Sequence, residues 1–298
     1  AFILNQVKYK ELDDRKKAVE NELQIAHGIQ MSMIPKIFPP FPERKDLDMA
    51  ATIVPAKEVG GDLYDFFIRD EKLFFCIGDV SGKGIPASLV MAVTRSMFRT
   101  LSAHEDRPER IVGQMNDSMA DSNENNMFVT FLLGVLDLSN GHLAYCNAGH
   151  NAPVMLTDKK APLPVESNIP LGVMSGFEYA GQETELRDDD AIFLYTDGLT
   201  EAENTSHELF GEERMYEVLG TRRRSSEHLE AIKAAVSAFV GDAPQSDDLT
   251  MLFIHFFSKR HLTLENDIKE IEKLSAFVEA IGEERGLDPG LVSGINLA

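Results

Sequence analysis

Aspartates recur at the ends of apolar runs in this chain, and that arrangement constrains its fold more than any other feature. Ile77-Gly78-Asp79-Val80-Ser81-Gly82-Lys83-Gly84 follows the apolar run Leu73–Ile77, and Thr196-Asp197-Gly198 follows Ala191–Leu194. Gly60-Gly61-Asp62-Leu63-Tyr64-Asp65 and Asp247-Asp248-Leu249-Thr250 stand just ahead of two further runs. A carboxylate at a strand end has its backbone held by the sheet while its oxygens face a cleft. Neighbouring glycine lets the chain turn sharply and lets a ligand approach the backbone. A single Asp-Gly pair is an ordinary turn. Four such clusters can instead converge on one site and join distant parts of the chain.

Converging carboxylates repel one another, and the natural remedy is a hard divalent cation with oxygen ligands. No His/Cys spacing suits zinc, so Mg²⁺ or Mn²⁺ is expected. The formal net charge is −20, which disfavours nucleic acid and anionic lipid as partners. It also repels a phosphorylated substrate unless bound metal reverses the potential locally. The Gly78–Gly84 stretch is not a phosphate-binding P-loop: three residues, not four, separate Gly78 from Gly82, and Gly84 follows Lys83 where Ser or Thr belongs. Cys76 and Cys146 sit in strand-like apolar contexts and form no CxxC pattern, which favours a reducing, cytoplasmic compartment. No apolar run reaches the 18 or so residues of a membrane helix, so no direct membrane contact is expected. The start lacks Met and the end stops within Ile295-Asn296-Leu297-Ala298, which reads as an excised fragment whose full-length form could be tethered through an upstream sensor.

Residues 1–35 read as a helical linker. Leu12, Val19, Ala26 and Met33 recur every seven residues and can form a coiled-coil seam, although Lys16 and Gln30 make it imperfect. A helix packed on its own domain is the alternative. Pro35 ends it, and Pro39, Pro40 and Pro42 form a connection. Residues 36–258 read as the main domain. Strands are predicted at Met49–Val54, Tyr64–Ile68, Lys72–Ile77, Phe128–Leu136, His142–Cys146, Ala152–Leu156, Ala191–Tyr195 and Leu249–Phe256, with helices at Pro86–Ser102, Glu109–Met119 and Ser226–Val240. Strands joined by short turns, with helices in separate blocks, indicate an α+β fold. Residues 259–298 change style again: Leu264, Ile268, Ile271, Leu274, Val278 and Ile281 mark an amphipathic helix that Gly286 would end, with another beginning near Pro289.

The five segments Gly60–Asp65, Gly78–Gly84, Asn147-Ala148-Gly149-His150-Asn151, Thr196-Asp197-Gly198 and Asp247–Thr250 occur in this order and together resemble the bacterial PPM (PP2C-like) serine/threonine phosphatases of the SpoIIE/RsbU type. The resemblance covers roughly Glu22 to Phe257. It implies an αββα sandwich, two antiparallel sheets flanked by helices, with a two-metal site at one edge. Carried over by motif, Asp79 looks like the aspartate bridging both metals and the Val80 carbonyl a further ligand. Asp62 looks like a second ligand on one ion, and Asp197 and Asp247 resemble the pair completing the other ion's shell. The Asp247-Asp248 doublet leaves either residue open, with Asp247 preferred because the family motif places its ligand first. Asp62 and Asp79 are accordingly the candidate catalytic carboxylates. His150 reads as a turn histidine rather than a general acid. The eukaryotic members use an arginine for phosphate, and no matching arginine is visible.

Two such ions ready a water for in-line attack on phosphorus, with no protein nucleophile. The resemblance implies a protein serine/threonine phosphatase acting on a phosphorylated STAS-domain protein, an anti-sigma-factor antagonist, and a homodimer formed through the N-terminal helix. It also likens residues 259–298, weakly, to the truncated start of a GHKL anti-sigma kinase domain without its ATP-binding parts. A catalytically silent binding module of the same fold, or a purely structural cation site, is the rival reading.

Overall fold

A computed structural model of the chain describes residues 2–220, 224–258, 271–284, 286–288 and 290–292. The chain divides into two units, Ala1–Ser258 and Lys259–Ala298. In the first, the elements run α1 (Phe2–Met33), β1 (Leu47–Val54), β2 (Leu63–Arg69), β3 (Lys72–Val80), α2 (Ile85–Leu101), α3 (Pro108–Ala120), β4 (Val129–Asp137) and β5 (His142–Ala148). They continue with β6 (Val154–Leu156), β7 (Lys160–Pro162), β8 (Gln182–Glu185), β9 (Ala191–Tyr195), α4 (Asp197–Thr200), α5 (Gly211–Val218), α6 (Ser225–Val240) and β10 (Leu249–Phe256).

The strands form two five-stranded sheets, ordered β1-β10-β9-β6-β7 and β2-β3-β4-β5-β8, and every named pairing is antiparallel. Period-two patterning sorts the buried side chains of β9 and β10 between two cores. Ile192, Leu194, Leu252, Ile254 and Phe256 join the core that also holds Leu73, Phe75, Leu133 and Phe131 of the other sheet. Phe193, Tyr195, Met251 and Phe253 face the opposite way, against Met215 of α5 and Leu229, Ile232 and Val236 of α6. Each fully buried large apolar side chain contributes about 1.5–3 kcal/mol, so β10, buried at every position, is unlike a strand with a wet face. Helices α2 and α3 cover the second sheet, burying Ala87, Met91, Phe98, Ile111, Val112 and Met115. The architecture is the αββα sandwich, an α+β fold.

Short, exposed elements are where the observed fold exceeds the predicted one. Strands β7 and β8 carry Lys160-Ala161-Pro162 and Gln182-Glu183-Thr184-Glu185, which lack apolar alternation. They are strands because a neighbour supplies the ladder, with β8 pairing along β5 from His142↔Glu185 to Tyr145↔Gln182. Helices α4 and α5, of four and eight residues, are too short to show a periodic stripe.

Helix α1 is exposed over much of its length but its end is fastened to the domain. Ile34 is buried, and the Tyr64 hydroxyl donates to the Pro35 carbonyl (2.5 Å). The Gln30 amide donates to the Gly60 carbonyl (2.6 Å) and accepts from the Gly60 N–H (3.1 Å), while His27 Nδ1 donates to the Glu58 carbonyl (2.6 Å). Of the expected seam, Leu12 and Val19 are exposed.

The second unit contains α7 (Ile271–Glu284), followed by Gly286 in a left-handed conformation (φ 60°) that receives the chain as the helix ends. Leu264, Ile268, Pro289 and the terminal Ile295–Ala298 segment lie outside the described residues.

Candidate metal centre

The register of the two sheets brings four aspartate-bearing strand ends to one edge. In the second sheet the start of β2 meets the end of β3, with Leu63 opposite Gly78, and Asp79 stands opposite Thr130 of β4. In the first sheet the end of β9 meets the start of β10, and the Thr196 N–H donates to the Thr250 carbonyl (3.1 Å). Two side-chain contacts stitch the sheets together here. The Thr196 hydroxyl donates to Asp62 Oδ2 (2.8 Å), and the Asp248 carboxylate accepts from the backbone N–H of Gly61 (2.7 Å). Within its own sheet Asp248 also accepts from the N–H of Ala56, just past β1 (2.7 Å).

The carboxylates at this edge disturb one another. Burial holds the Asp62 carboxyl well above the usual range, the Asp79 charge adds to the rise, and the hydrogen bond from the Thr196 hydroxyl opposes it. Asp79 is pushed up to about 7, by burial first and then by the charges of Asp197 and Asp247; a hydrogen bond with Asp62 works against the rise. Asp197 is raised by burial, Glu201 and Asp247, with the Gly198 N–H and Lys83 opposing. Thus Asp62, Asp79, Asp197 and Asp247 interact across the two sheets. The Val80 carbonyl oxygen faces Gly61, 3.0 Å from where a Cβ on that glycine would stand.

The neighbouring residues have different tasks. Asp248 braces the backbone ahead of Asp62, and glycine is needed around it: a Cβ on Gly60 would collide with its carboxylate, and one on Gly198 with its carbonyl. The close approach that glycine permits is therefore to another part of the chain. Asp247 turns the other way, with Oδ1 accepting from the Asp248 N–H (2.8 Å) and Oδ2 paired with Lys83 Nζ (2.8 Å). Asp65, in the same motif as Asp62, is fully buried in an ion-paired cluster with Arg99 and Arg95, the latter 3.0 Å away. His150 sits in a turn knitted by Asn147, whose side chain donates to the His150 carbonyl (2.8 Å) and accepts from its N–H (2.7 Å). Burial pushes the His150 ring down to about 4, against a backbone contact from Tyr195, so it is neutral at pH 7.

This donor set is all oxygen and suits hard cations. Among the described residues no three His, Cys, Asp or Glu side chains already stand at the spacing of a metal-binding group. One of the carboxylates, Asp247, is engaged by the Lys83 ammonium. The raised carboxyls of Asp62, Asp79 and Asp197 record a deficit of positive charge.

The family described as stage II sporulation protein E (SpoIIE) matches residues 69–257. The chain belongs to this family. Asp79, Asp197 and Asp247 lie inside the matched span and Asp62 just ahead of it. Protein IcfG of Synechocystis sp. is 27% identical over 85% of this chain and 44% of its own length. Phosphoserine phosphatase RsbU of Bacillus subtilis is 28% identical over 61% of this chain and 54% of its own length. The chain thus spans about half the length of the curated relatives it matches. The SiaA-PP2C domain of Pseudomonas aeruginosa superposes with a TM-score of 0.71 at 23% identity, covering 81% of this chain and 98% of that domain. The SpoIIE-family domain seen here has the PP2C-like fold of the SiaA-PP2C domain.

Sequence reasoning passed over Lys83, Thr196 and Gln30. Lys83 and Thr196 were visible within quoted motifs as the residues next to glycine or aspartate. Gln30 carried the only hint available, a polar residue interrupting an apolar seam.

Proposed function

We propose that the domain hydrolyses phosphoserine or phosphothreonine on a signalling protein with two divalent cations, Mn²⁺ or Mg²⁺, held by Asp62, Asp79, the Val80 carbonyl, Asp197 and Asp247. The observation that carries this reading is the gathering of mutually disturbed carboxylates from both sheets at one edge. When bound, the ions supply local positive charge and an activated water. Asp79, the aspartate interacting with all the others, would hold both ions. Asp62 is oriented by the Thr196 hydroxyl, and Asp248 fixes the backbone from which Asp62 projects. The burial of Asp62 and Thr196 keeps bulk water from that side of the site.

The likeness to a protein named phosphoserine phosphatase favours phosphoserine. By the same resemblance the substrate is a STAS-type anti-sigma-factor antagonist. Exposed Leu12 and Val19 on α1 support homodimerisation through that helix, and sedimentation of forms with and without residues before Ala26 tests it. Residues 36–258 would be the phosphatase domain, 1–35 its linker and 259–298 the start of a GHKL-like domain. Two buried free cysteines support a cytoplasmic setting; among the described residues no helix is long and apolar enough to cross a membrane.

Phosphate release from a phosphoserine protein is the test. Release should need added Mn²⁺ or Mg²⁺ and stop with a chelator. Bound metal without turnover would instead favour the silent binding module.

A further inference from the structure

The Asp247 carboxylate has both oxygens engaged. Oδ1 accepts a backbone N–H from Asp248, and Oδ2 meets Lys83 Nζ at 2.8 Å. Lys83 also donates to the Ser246 carbonyl (2.6 Å), so two consecutive residues hold its ammonium. Among the described residues it is the only Lys or Arg ion-paired with Asp62, Asp79, Asp197 or Asp247. It stands between Gly82 and Gly84, both with left-handed φ (84° and 78°) and both with open space where a Cβ would be. The lysine side chain is 39% exposed and that of Asp247 31%. Such a pair is weak in water and readily exchanged.

We propose that Lys83 is the resident counter-cation of the metal centre, competing with a divalent ion for Oδ2 of Asp247 and released into the open cleft when that ion binds. The inference rests on the metal reading above and adds the group that must leave. The Oδ1 contact, accepted by the side chain from the next residue's N–H, survives loading, whereas the Oδ2 contact blocks an oxygen the ion needs. Release of Lys83 breaks two contacts, to Asp247 and to Ser246, and leaves a mobile ammonium at the mouth of a strongly acidic site. A phosphate dianion arriving there meets a cation which the metal-free protein keeps occupied. Metal loading and readiness for an anionic substrate are thereby coupled through one side chain.

Two measurements on the whole chain in phosphate-free buffer test this. The first is Mn²⁺ binding followed by the EPR signal of free Mn²⁺. Lys83→Gln should bind about two- to five-fold tighter than wild type, the range expected for losing a half-exposed ion pair. Lys83→Arg, which keeps the charge, should stay near wild type. Equal or weaker binding by Lys83→Gln overturns the inference and leaves the metal reading standing. Absence of Mn²⁺ binding by the wild-type chain overturns both. The second is amine acetylation read by mass spectrometry on the wild-type chain, which needs no substitution. Lys83 should become more reactive when Mn²⁺ is added, and unchanged or reduced reactivity rejects its release.

Discussion

Asp62 and Asp65 lie three residues apart in one short segment, and both are buried, yet they are built into opposite kinds of surroundings. Asp65 points toward α2, where Arg95 and Arg99 neutralise it within the protein. Asp62 points toward the sheet edge, where its neighbours are hydroxyls and further carboxylates. Burying a charge is costly unless it is paired. The Asp65 cluster meets that requirement internally, whereas among the described residues no Lys or Arg is ion-paired with Asp62. The two buried aspartates thus differ in whether the fold provides a counter-charge, and under the proposed function that difference is what leaves Asp62 for a cation.

The comparison can be broken in four ways. The largest effect is expected for Asp79→Asn, whose amide cannot supply charge to two ions. Its kcat/KM on a phosphoserine protein should fall about 10⁴-fold, roughly 5 kcal/mol, and near-wild-type turnover would overturn the proposed role of Asp79. Next, Asp65→Asn should cost about 3–5 kcal/mol in urea unfolding, because two arginines lose their shared partner. Asp62→Asn should leave the metal-free protein as stable as wild type or more so. Equal destabilisation by the two changes would erase the distinction drawn here.

The third test is pH. The Asp79 carboxyl titrates near 7 in the folded chain and near 3.9 when unfolded, so the folded state holds the extra proton between those values. Stability of the metal-free protein should therefore fall as pH rises from 5 to 8. With allowance for solvent screening the loss is about 1–2 kcal/mol. Saturating Mn²⁺ should reverse the trend, since its ligands must be deprotonated. A flat profile without metal would show that the acidic edge is less crowded than its geometry indicates. The smallest effect is expected for Gln30→Ala, which leaves the Gly60 N–H and carbonyl without their partner and should lower stability by about 1–2 kcal/mol in thermal unfolding.

Much of this was legible before any coordinates. The helix expected at Pro86–Ser102 is α2, although its buried face carries Ala87, Met91, Thr94 and Phe98 and leaves Leu89 and Val93 exposed. The apolar run Leu249–Phe256 is β10, because long apolar segments carry their own signal. The αββα fold and the SpoIIE/RsbU kinship followed from five ordered motifs. What stayed hidden depends on partners far away in sequence. Nothing local separates Asp62 from Asp65, since the deciding residues are Thr196 on one side and Arg95 and Arg99 on the other. The Asp247-Asp248 doublet was ambiguous for the same reason, as only the fold shows Asp248 spent on Ala56 and Gly61. Strand β8 is polar throughout and exists by pairing with β5.

The amide clasp between Gln30 and Gly60 also sets an angular reference for everything N-terminal to it on α1. A helix advances about 100° per residue, so one residue inserted between Lys10 and Gln24 would leave the clasp intact while swinging the exposed upstream stretch by that angle. Seven inserted residues would restore the original bearing to within about 20°. The stretch of helix ahead of Gln24 is consequently aimed by its residue count, much as the key of a shaft fixes the orientation of the wheel it carries.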